Sequence, residues 1–565
     1  MEENIHRPKW DFPKSKEEIF RELIQDARRY WPELPDTQER MDPVLRMLFG
    51  AFAYQFETLH VSLQKIKEDI FEALARHLYY DALRFPTPAV TLLKFFPTDA
   101  GIEVDELTSL IYTEERGRER RTYHFTPVAR LRLARAIPFK LLLLTKDGIS
   151  DLSQRILEKG ILTGNPEIFP LPREFLERWE KDRIVLFIGF KTEELTKAFT
   201  HLNLYVDAPQ RTLSLLRWGT WFSSNEEGIF PIEGGEVPGK ATFEITWKTK
   251  IPPLIPHHRG VKEFLSDFED QFFPIKNLTP SPLPREIQDL LKERVSDNIG
   301  TTEGMAWIKI ILPEETTEKS LLEIRGIHTN CIPAINLWHQ VHNHLTQGLP
   351  LVEITLPDPL SKIYQIEEVR DSSGKVYENR LMASDLRSTY LYTIKEDGDR
   401  PCIVLHFEGE ERVPDRIQIT YSVTEDEDAN GIEPGLITEL YDKRQHPGIE
   451  SVTNITRSSG GRKAPAREDL LRDFTFLLRN RSRAITSKDL EDLALSFDPR
   501  ILRVNCEPGV ETSPHGARRC IHVKISLGET EFATQGERDL FVKRLQTFLK
   551  ERSPVNTSIR IIVES

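Results

Sequence analysis

Cysteine is scarce, with four in 565 residues, at Cys331, Cys402, Cys506 and Cys520. Their wide spacing fits neither a zinc-ligand pattern nor a disulfide framework. A reducing compartment with buried thiols is therefore expected, although Cys506 and Cys520 are close enough to face each other on paired strands. Long hydrophobic runs are missing as well. No stretch of 18 apolar residues occurs, so no membrane span is expected. The start MEENIHRPKWDF is polar, and no signal peptide is read there. Positive charge is in deficit: 76 Lys and Arg against 89 Asp and Glu leave a net −13, without the basic footprint of a nucleic-acid binder. The local basic run RGRERR, residues 116–121, reads as the solvated tip of a hairpin. Internal repeats and low-complexity tracts are absent.

Catalytic patterns are missing too. His339, His342 and His344 lie in HQVHNH without the carboxylate base of an HExxH site, and read as polar loop residues. Asp426, Asp428, Asn430 and Gly431 begin like a calcium loop, in which oxygens at alternate positions surround the ion. The twelfth position, which needs a bidentate glutamate, is Ile437, and Pro434 interrupts, so an acidic turn is expected. Ser459–Gly461 with Lys463 lacks the GxxxxGK frame of a phosphate-binding loop, and no GxSxG elbow exists. Nothing specifies a nucleophile, its base and an orienting group. The expectation is a protein that is not an enzyme, with no catalytic residues, no cofactor and no metal. A β-sandwich carbohydrate-active hydrolase is the rival from another class. It would need paired carboxylates in an aromatic-lined cleft, and no motif selects such a pair. An adhesin is argued against by the missing signal peptide and the long N-terminal helix.

What is present is an ordinary globular composition, 39% hydrophobic and 29% charged, long enough for two to four domains. One stretch stands out, from Asp42 to Tyr80. Asp42 is a good helix cap and Pro43 a good first helical residue, because the unpaired N–H groups there want an oxygen and proline has no N–H to leave unpaired. Apolar residues recur at Leu45, Leu48, Phe52, Phe56, Leu59, Leu63, Ile66, Ile70 and Leu74, at about 3.6 residues per step. Pro86 and Pro88 forbid further helix. Such a helix would run roughly 58 Å. Two readings stand: a core helix of one large domain, or a helix that leaves its domain to bundle with partner helices. On the second, Leu59, Leu63, Ile66, Ile70 and Leu74 are the candidate partner-interface residues.

Upstream, residues 15–31 read as a first helix, with Ser15 and Glu18 forming a capping box. After Pro88 the period changes to two, and strands are expected at Val90–Phe96, Glu103–Tyr112, Tyr123–Phe125, Ala129–Ala134, Phe139–Leu144, Arg183–Phe190 and His201–Val206. A short helix follows over 209–222, then a strand over 241–247 and a helical stretch over 260–296. From Met305 strands resume through MAWIKIILP, SLLEIRGIHTN, NCIPAINLW, Leu351–Leu356, Cys402–Phe407 and Arg416–Ser422. The end reads as helices over 466–478 and from Thr486, strands over 501–507 and 521–527, a helix over 537–552 and a strand over 558–563. Helix–strand–strand–helix–strand is a ferredoxin-like order without its first strand. The expected fold class is a multidomain α+β chain. It has an N-terminal long-helix bundle region (1–84), a β-rich domain (85–259), a helical connector (260–300), a second β-rich domain (301–440) and a C-terminal ferredoxin-like α/β domain (441–565).

Three segments carry a family resemblance. The long helix leaves through His77–Leu78–Tyr79–Tyr80 and Phe85–Pro86–Thr87–Pro88 into a strand, with Ala89 where the related pattern has serine. TYHFTPVARLRL (122–133) and LNLYVDAPQRTLSLL (202–216) follow in order. NCIPAINLW (330–338) matches a related "CTPVVNLF" segment at Cys331, Pro333, Asn336 and Leu337. These resemble the TssF baseplate subunits of type VI secretion systems. Near the C-terminus, Arg483–Ala484–Ile485–Thr486, Asp489–Leu490–Glu491 and Pro499 resemble a segment of phage baseplate J-like wedge proteins. The resemblance implies a structural wedge protein of a contractile injection machine, in the bacterial cytoplasm with the baseplate docked near the inner membrane. Two copies would join one TssG-like subunit through bundled N-terminal helices, six wedges would ring the spike and carry the sheath, and there would be neither nucleic acid nor membrane insertion. A baseplate wedge of an extracellular phage-tail-like particle is the alternative within the same class.

Overall fold

The computed structural model describes residues 15–35, 40–78, 86–99, 101–116, 119–153, 168–170, 184–191, 202–223, 268–275, 283, 287–288, 305–380, 390–397, 400–407, 413–464, 483–498, 500–513, 516–528, 532–555 and 557–564. Among these the chain is mixed α+β, mostly sheet with six helices, and falls into two compact units.

The first unit holds α1 (Lys16–Tyr30) and α2 (Pro43–Leu78). α1 starts at the expected capping box. Glu18 N donates to Ser15 Oγ, and Ser15 N donates to the Glu18 carboxylate at 2.9 Å. α2 starts where Asp42 Oδ1 accepts from Val44 N at 2.9 Å. The two helices share a small core of Ile19, Phe20, Ile24, Leu34, Met41 and Ala53, onto which Leu45 and Phe49 pack.

The second unit begins with β1 (Val90–Pro97), β2 (Glu103–Val104), β3 (Leu110–Arg116), β4 (Glu119–Pro127), β5 (Leu131–Arg132), β6 (Ile137–Thr145) and β7 (Gly148–Asp151). Next come β8 (Ile168–Phe169), β9 (Val185–Lys191), β10 (Leu202–Asp207), α3 (Gln210–Trp218), β11 (Thr220–Ser223), β12 (Phe272–Ile275) and β13 (Met305–Ile311). Then follow α4 (Glu318–Leu322), β14 (Gly326–Thr329), β15 (Cys331–Ile335), β16 (Trp338–Leu345), β17 (Leu351–Thr355), β18 (Ile363–Asp371) and β19 (Val376–Asn379). β20 (Leu391–Asp397), β21 (Arg400–His406), β22 (Arg416–Val423), β23 (Glu439–Leu440) and β24 (Ile449–Asn454) complete the middle of the chain. The last elements are α5 (Ser487–Phe497), β25 (Ile501–Ser513), β26 (Gly516–Leu527), α6 (Gln535–Arg552) and β27 (Ile559–Glu564).

Strands far apart in sequence share sheets. One sheet runs β23-β3-β4-β15-β1-β24, so β1 lies between a strand some 240 residues later and one some 360 residues later. A second runs β11-β13-β9-β6-β7-β8. Its central strand β9 is buried at six consecutive residues, which explains its unbroken apolar run. Gly189 in β9 is required by close approach: a Cβ there would lie 2.8 Å from the Trp307 ring. β16 to β22 form a seven-stranded sheet of their own, in the order β16-β22-β18-β19-β20-β21-β17. The last sheet is β25-β26-β27, antiparallel in the first pair and parallel in the second, with α5 and α6 burying Leu490, Leu493, Leu545 and Leu549 against Val523 and Ile525.

Several sequence expectations need correction. The stretch 103–112 is two strands, because Asp105 turns the chain by accepting from Leu107 N at 3.1 Å. The 209–222 helix stops at Gly219 and gives way to β11. SLLEIRGIHTN begins in the short helix α4 and becomes strand only at Gly326. The FF that closes the first helical stretch of 260–296 is in strand β12. HQVHNH is strand β16, not loop. Cys506 stands opposite Val523 and Cys520 opposite Gly509, so the two thiols do not face each other. The helix over 466–478 and the strand over 241–247 lie outside the described residues.

Candidate functional site

Among the described residues, the long helix carries the largest set of exposed apolar side chains. α1 masks the face carrying Leu45, Phe49 and Ala53. Beside it runs an uncovered stripe, Val44, Leu48, Phe52, Phe56, Leu59, Ile66 and Ile70, with Leu59 55%, Ile66 52% and Ile70 57% exposed. Leu63 and Leu74 belong to the same helix. Three of the candidate interface residues, Leu59, Ile66 and Ile70, are thus on the surface of this unit.

A second stripe is absent from the sequence expectations. Met47, Tyr54 and Val61, seven residues apart, are all exposed, Met47 at 72%. At 3.6 residues per turn they stand about 140° around the helix from the first stripe. The seven-residue spacing is a readable signal, hidden by the denser run beside it. A soluble monomer rarely leaves so many contiguous apolar side chains to water, and such patches mark interaction sites.

Elsewhere the motifs singled out in the sequence have structural partners. Glu114 stands opposite Arg121, Glu115 opposite Arg120 and Arg116 opposite Glu119 in a cross-strand ladder, and Arg121 reaches Asp428 at 3.3 Å. The acidic turn holds Asp426 buried beside Lys362 at 3.5 Å, while Lys362 pairs with Glu425 at 2.7 Å and Lys463 with Glu427. No cluster of three or more His, Cys, Asp or Glu able to hold a metal is found among the described residues. His342 and His344 lie two apart on edge strand β16, and burial and then the charge of His344 lower the His342 pKa. Burial pushes the Cys331 and Cys506 thiols up to about 12, which makes them poor nucleophiles. Among the described residues no helix is long and apolar enough to cross a membrane.

Asn336 explains why NCIPAINLW is a recognisable segment. It is 1% exposed and ties three chain segments together. Its Nδ2 donates to the His124 carbonyl at 2.8 Å, and its Oδ1 accepts from Thr424 Oγ1 at 2.9 Å and Glu425 N at 2.7 Å. Asn336→Ala should leave several buried polar groups unpaired and cost about 2–4 kcal/mol, at 1–3 kcal/mol per orphaned group. The expected result is a lower urea midpoint; an unchanged midpoint would show that water replaces the side chain without loss.

No protein-family model matches the chain, and no curated protein matches it. Among solved structures, the chain is similar to one in the type VI secretion system TssK-TssF-TssG baseplate subcomplex. The two are 16% identical over 92% of this chain and 96% of that one, with a TM-score of 0.48. It is similar to a chain of the baseplate complex from the type VI secretion system at 16% identity, covering 97% and 96%, with a TM-score of 0.40. A third similarity is to a chain of the anti-feeding prophage baseplate, 10% identical over 96% of this chain and 70% of that one, with a TM-score of 0.29.

Proposed function

We propose that this chain is a structural baseplate wedge subunit of a contractile injection machine, of the TssF kind in a type VI secretion system. The observation that carries the reading is the surface of α2. One face is covered by the chain's own α1 and two further faces are apolar and exposed. A helix apolar on three sides is complete only inside a bundle. Two uncovered faces leave room for helices from two other chains, which suits a TssG-like subunit and a second copy of this chain. The resemblance of residues 48–95, 122–133, 202–216 and 330–338 to TssF subunits names those partners.

Other features are consistent with a scaffold. The C-terminal order α5-β25-β26-α6-β27, with β26 and β27 paired in parallel, supports reading this part as a ferredoxin-like domain without its first strand. The division near 84 is proposed as a domain boundary, and those near 259, 300 and 440 as stages along the chain, since strands from the later segments share sheets. On this reading the protein is not an enzyme. It works in the bacterial cytoplasm at a baseplate docked near the inner membrane, and contacts other baseplate, spike and sheath components.

The test is co-expression with the neighbouring TssG-like gene, followed by mass determination by light scattering. A stable complex holding more than one copy of this chain is the expected result. A persistent monomer that ignores the neighbour would overturn the assignment.

A further inference from the structure

β16 (Trp338–Leu345) ends the seven-stranded sheet, and among the described residues its one strand partner is β22. Terminal strands are normally guarded by shortness, proline or an exposed charge, because their unpaired main-chain groups would otherwise template pairing with another chain. The other terminal strands of this protein follow that rule. β2, β5, β8, β11, β12, β14 and β23 have four residues or fewer. β17, β24, β25 and β27 each carry a glutamate, at Glu353, Glu450, Glu507 and Glu564. β16 is eight residues long, WHQVHNHL, with no proline, carboxylate, lysine or arginine.

The start of β16 is anchored, with the Trp338 ring 4.0 Å from His124, centre to centre. Further along, Val341, Asn343 and Leu345 are exposed, Val341 at 54% and Leu345 at 74%. Just past the strand, Thr346 N donates to the Asp415 carbonyl at 3.0 Å. The register with β22 is unshifted from Trp338–Val423 to Leu345–Arg416. The antiparallel ladder alternates, so the even-numbered residues of β16 turn N–H and C=O to β22. Val341, Asn343 and Leu345 turn theirs outward.

We propose that β16 pairs with β16 of a second copy of this chain, antiparallel about a two-fold axis through Asn343, so that two sheets continue as one. The strand is complementary to itself in this register. Val341 falls opposite Leu345 of the second copy, and Leu345 opposite its Val341. Asn343 meets its own counterpart, and a carboxamide both donates and accepts. His342 stands opposite His344 of the second copy. Burial, followed by the charge of His344, lowers the His342 pKa, which favours a neutral ring able to donate and accept. No like charges meet, and the outward main-chain groups of each copy satisfy those of the other. An axis through Val341 would instead set Leu345 opposite Leu337, which is buried at the root of the sheet. An axis through Leu345 would carry half of the pairing past the strand end. This contact involves a different element from α2 and stands without the baseplate assignment.

Cysteine pairing reads the register directly. The full chain is treated with a mild oxidant at about pH 8 and about 100 µM, above the micromolar range that so small a contact needs. The native sequence is the control, with Cys331, Cys402 and Cys520 buried and Cys506 partly so. Asn343→Cys should give a disulfide-linked dimer, because the paired Cα atoms lie about 5.5 Å apart, inside the roughly 4.4–6.8 Å that a disulfide spans. Val341→Cys and Leu345→Cys should not dimerise singly, since about 13 Å of strand separates each from its own counterpart. An equal mixture of those two variants should crosslink. Adding Val341→Pro to Asn343→Cys should slow crosslinking at least about tenfold, because proline removes an outward N–H that the sheet itself does not use. Leu59→Asp with Ile66→Asp in α2 should leave crosslinking unchanged, which separates this pairing from the α2 bundle. No dimer of Asn343→Cys, equal dimerisation of all three single cysteine variants, indifference to Val341→Pro, or loss of the crosslink in the α2 variant would each overturn the proposal.

Discussion

Leu59→Asp combined with Ile66→Asp should abolish co-purification with a TssG-like partner while leaving the chain folded. Both side chains are more than half exposed in their own unit, so the substitutions remove little intramolecular packing, and their effect on thermal unfolding should stay within a few degrees. In a bundle the same positions would be desolvated, and a buried unpaired carboxylate opposite an apolar surface is among the most costly changes an interface can suffer. A loss of at least about 100-fold in affinity is expected, on the scale of interface hot spots. Met47→Asp with Val61→Asp probes the other stripe. If two chains sit on two faces, the two double variants should release different partners. If either pair leaves complex mass unchanged while the protein stays soluble, that face is not an interface. If both do, the bundle reading of α2 fails and the helix is only an exposed arm.

Glu537→Ala should be the most damaging single change in the C-terminal part. Arg500 and Glu537 are 3% and 1% exposed and meet at 2.9 Å. Asp498 takes the other guanidinium nitrogens at 3.0 Å, and Phe532 and Phe541 lie over the guanidinium at 4.7 and 4.6 Å. Glu537 also accepts from Ala533 N at 2.8 Å. Removing it strands a buried cation with one carboxylate, at a cost of about 3–5 kcal/mol. The loss should spread past the domain. Thr534, which caps α6, accepts from Gln271 Nε2 at 2.8 Å, and Gly536 packs so closely that a Cβ would lie 2.5 Å from that side chain. In a chain of several units this is best read as early loss of exchange protection over α5, α6 and β25 to β27, since one unfolding free energy is not defined. The triple variant Asp498→Asn, Arg500→Met and Glu537→Leu should recover part of the loss, because it removes all three charges together, while Ala533 N is left without its acceptor. Wild-type protection in Glu537→Ala would mean that water reaches Arg500.

What could be read from the sequence was local. Ser15 with Glu18 marks a helix start, Thr486 with Asp489 has the same spacing, and both pairs make the reciprocal bonds of a capping box. The 3.6-residue stripe from Leu45 announced α2, which runs 36 residues. What escaped depends on distant partners. HQVHNH has no alternation of apolar and polar side chains, yet it is strand because β22, some 75 residues on, supplies its hydrogen bonds. SLLEIRGI looked extended because leucine and isoleucine suit either state. Asn336 stands out as part of a motif, but its work depends on Thr424 and Glu425, which no local pattern joins to it. The second stripe of α2 is the exception, because the heptad spacing of Met47, Tyr54 and Val61 is itself a local signal.

The placement of β1 sets a problem for synthesis. At about 5–20 residues per second, a ribosome that has finished β1 needs roughly 12–50 s to deliver β15 and 18–75 s to deliver β24. Throughout that interval VTLLKFFP, buried at five of its eight positions in the finished sheet, is an unpaired apolar strand outside the ribosome. The described contacts between α1 and α2 lie within the first 60 residues and can form long before. Nascent chains halted before residue 331 should therefore carry a formed helical pair joined to an aggregation-prone tail, and holdase chaperones would bind them there.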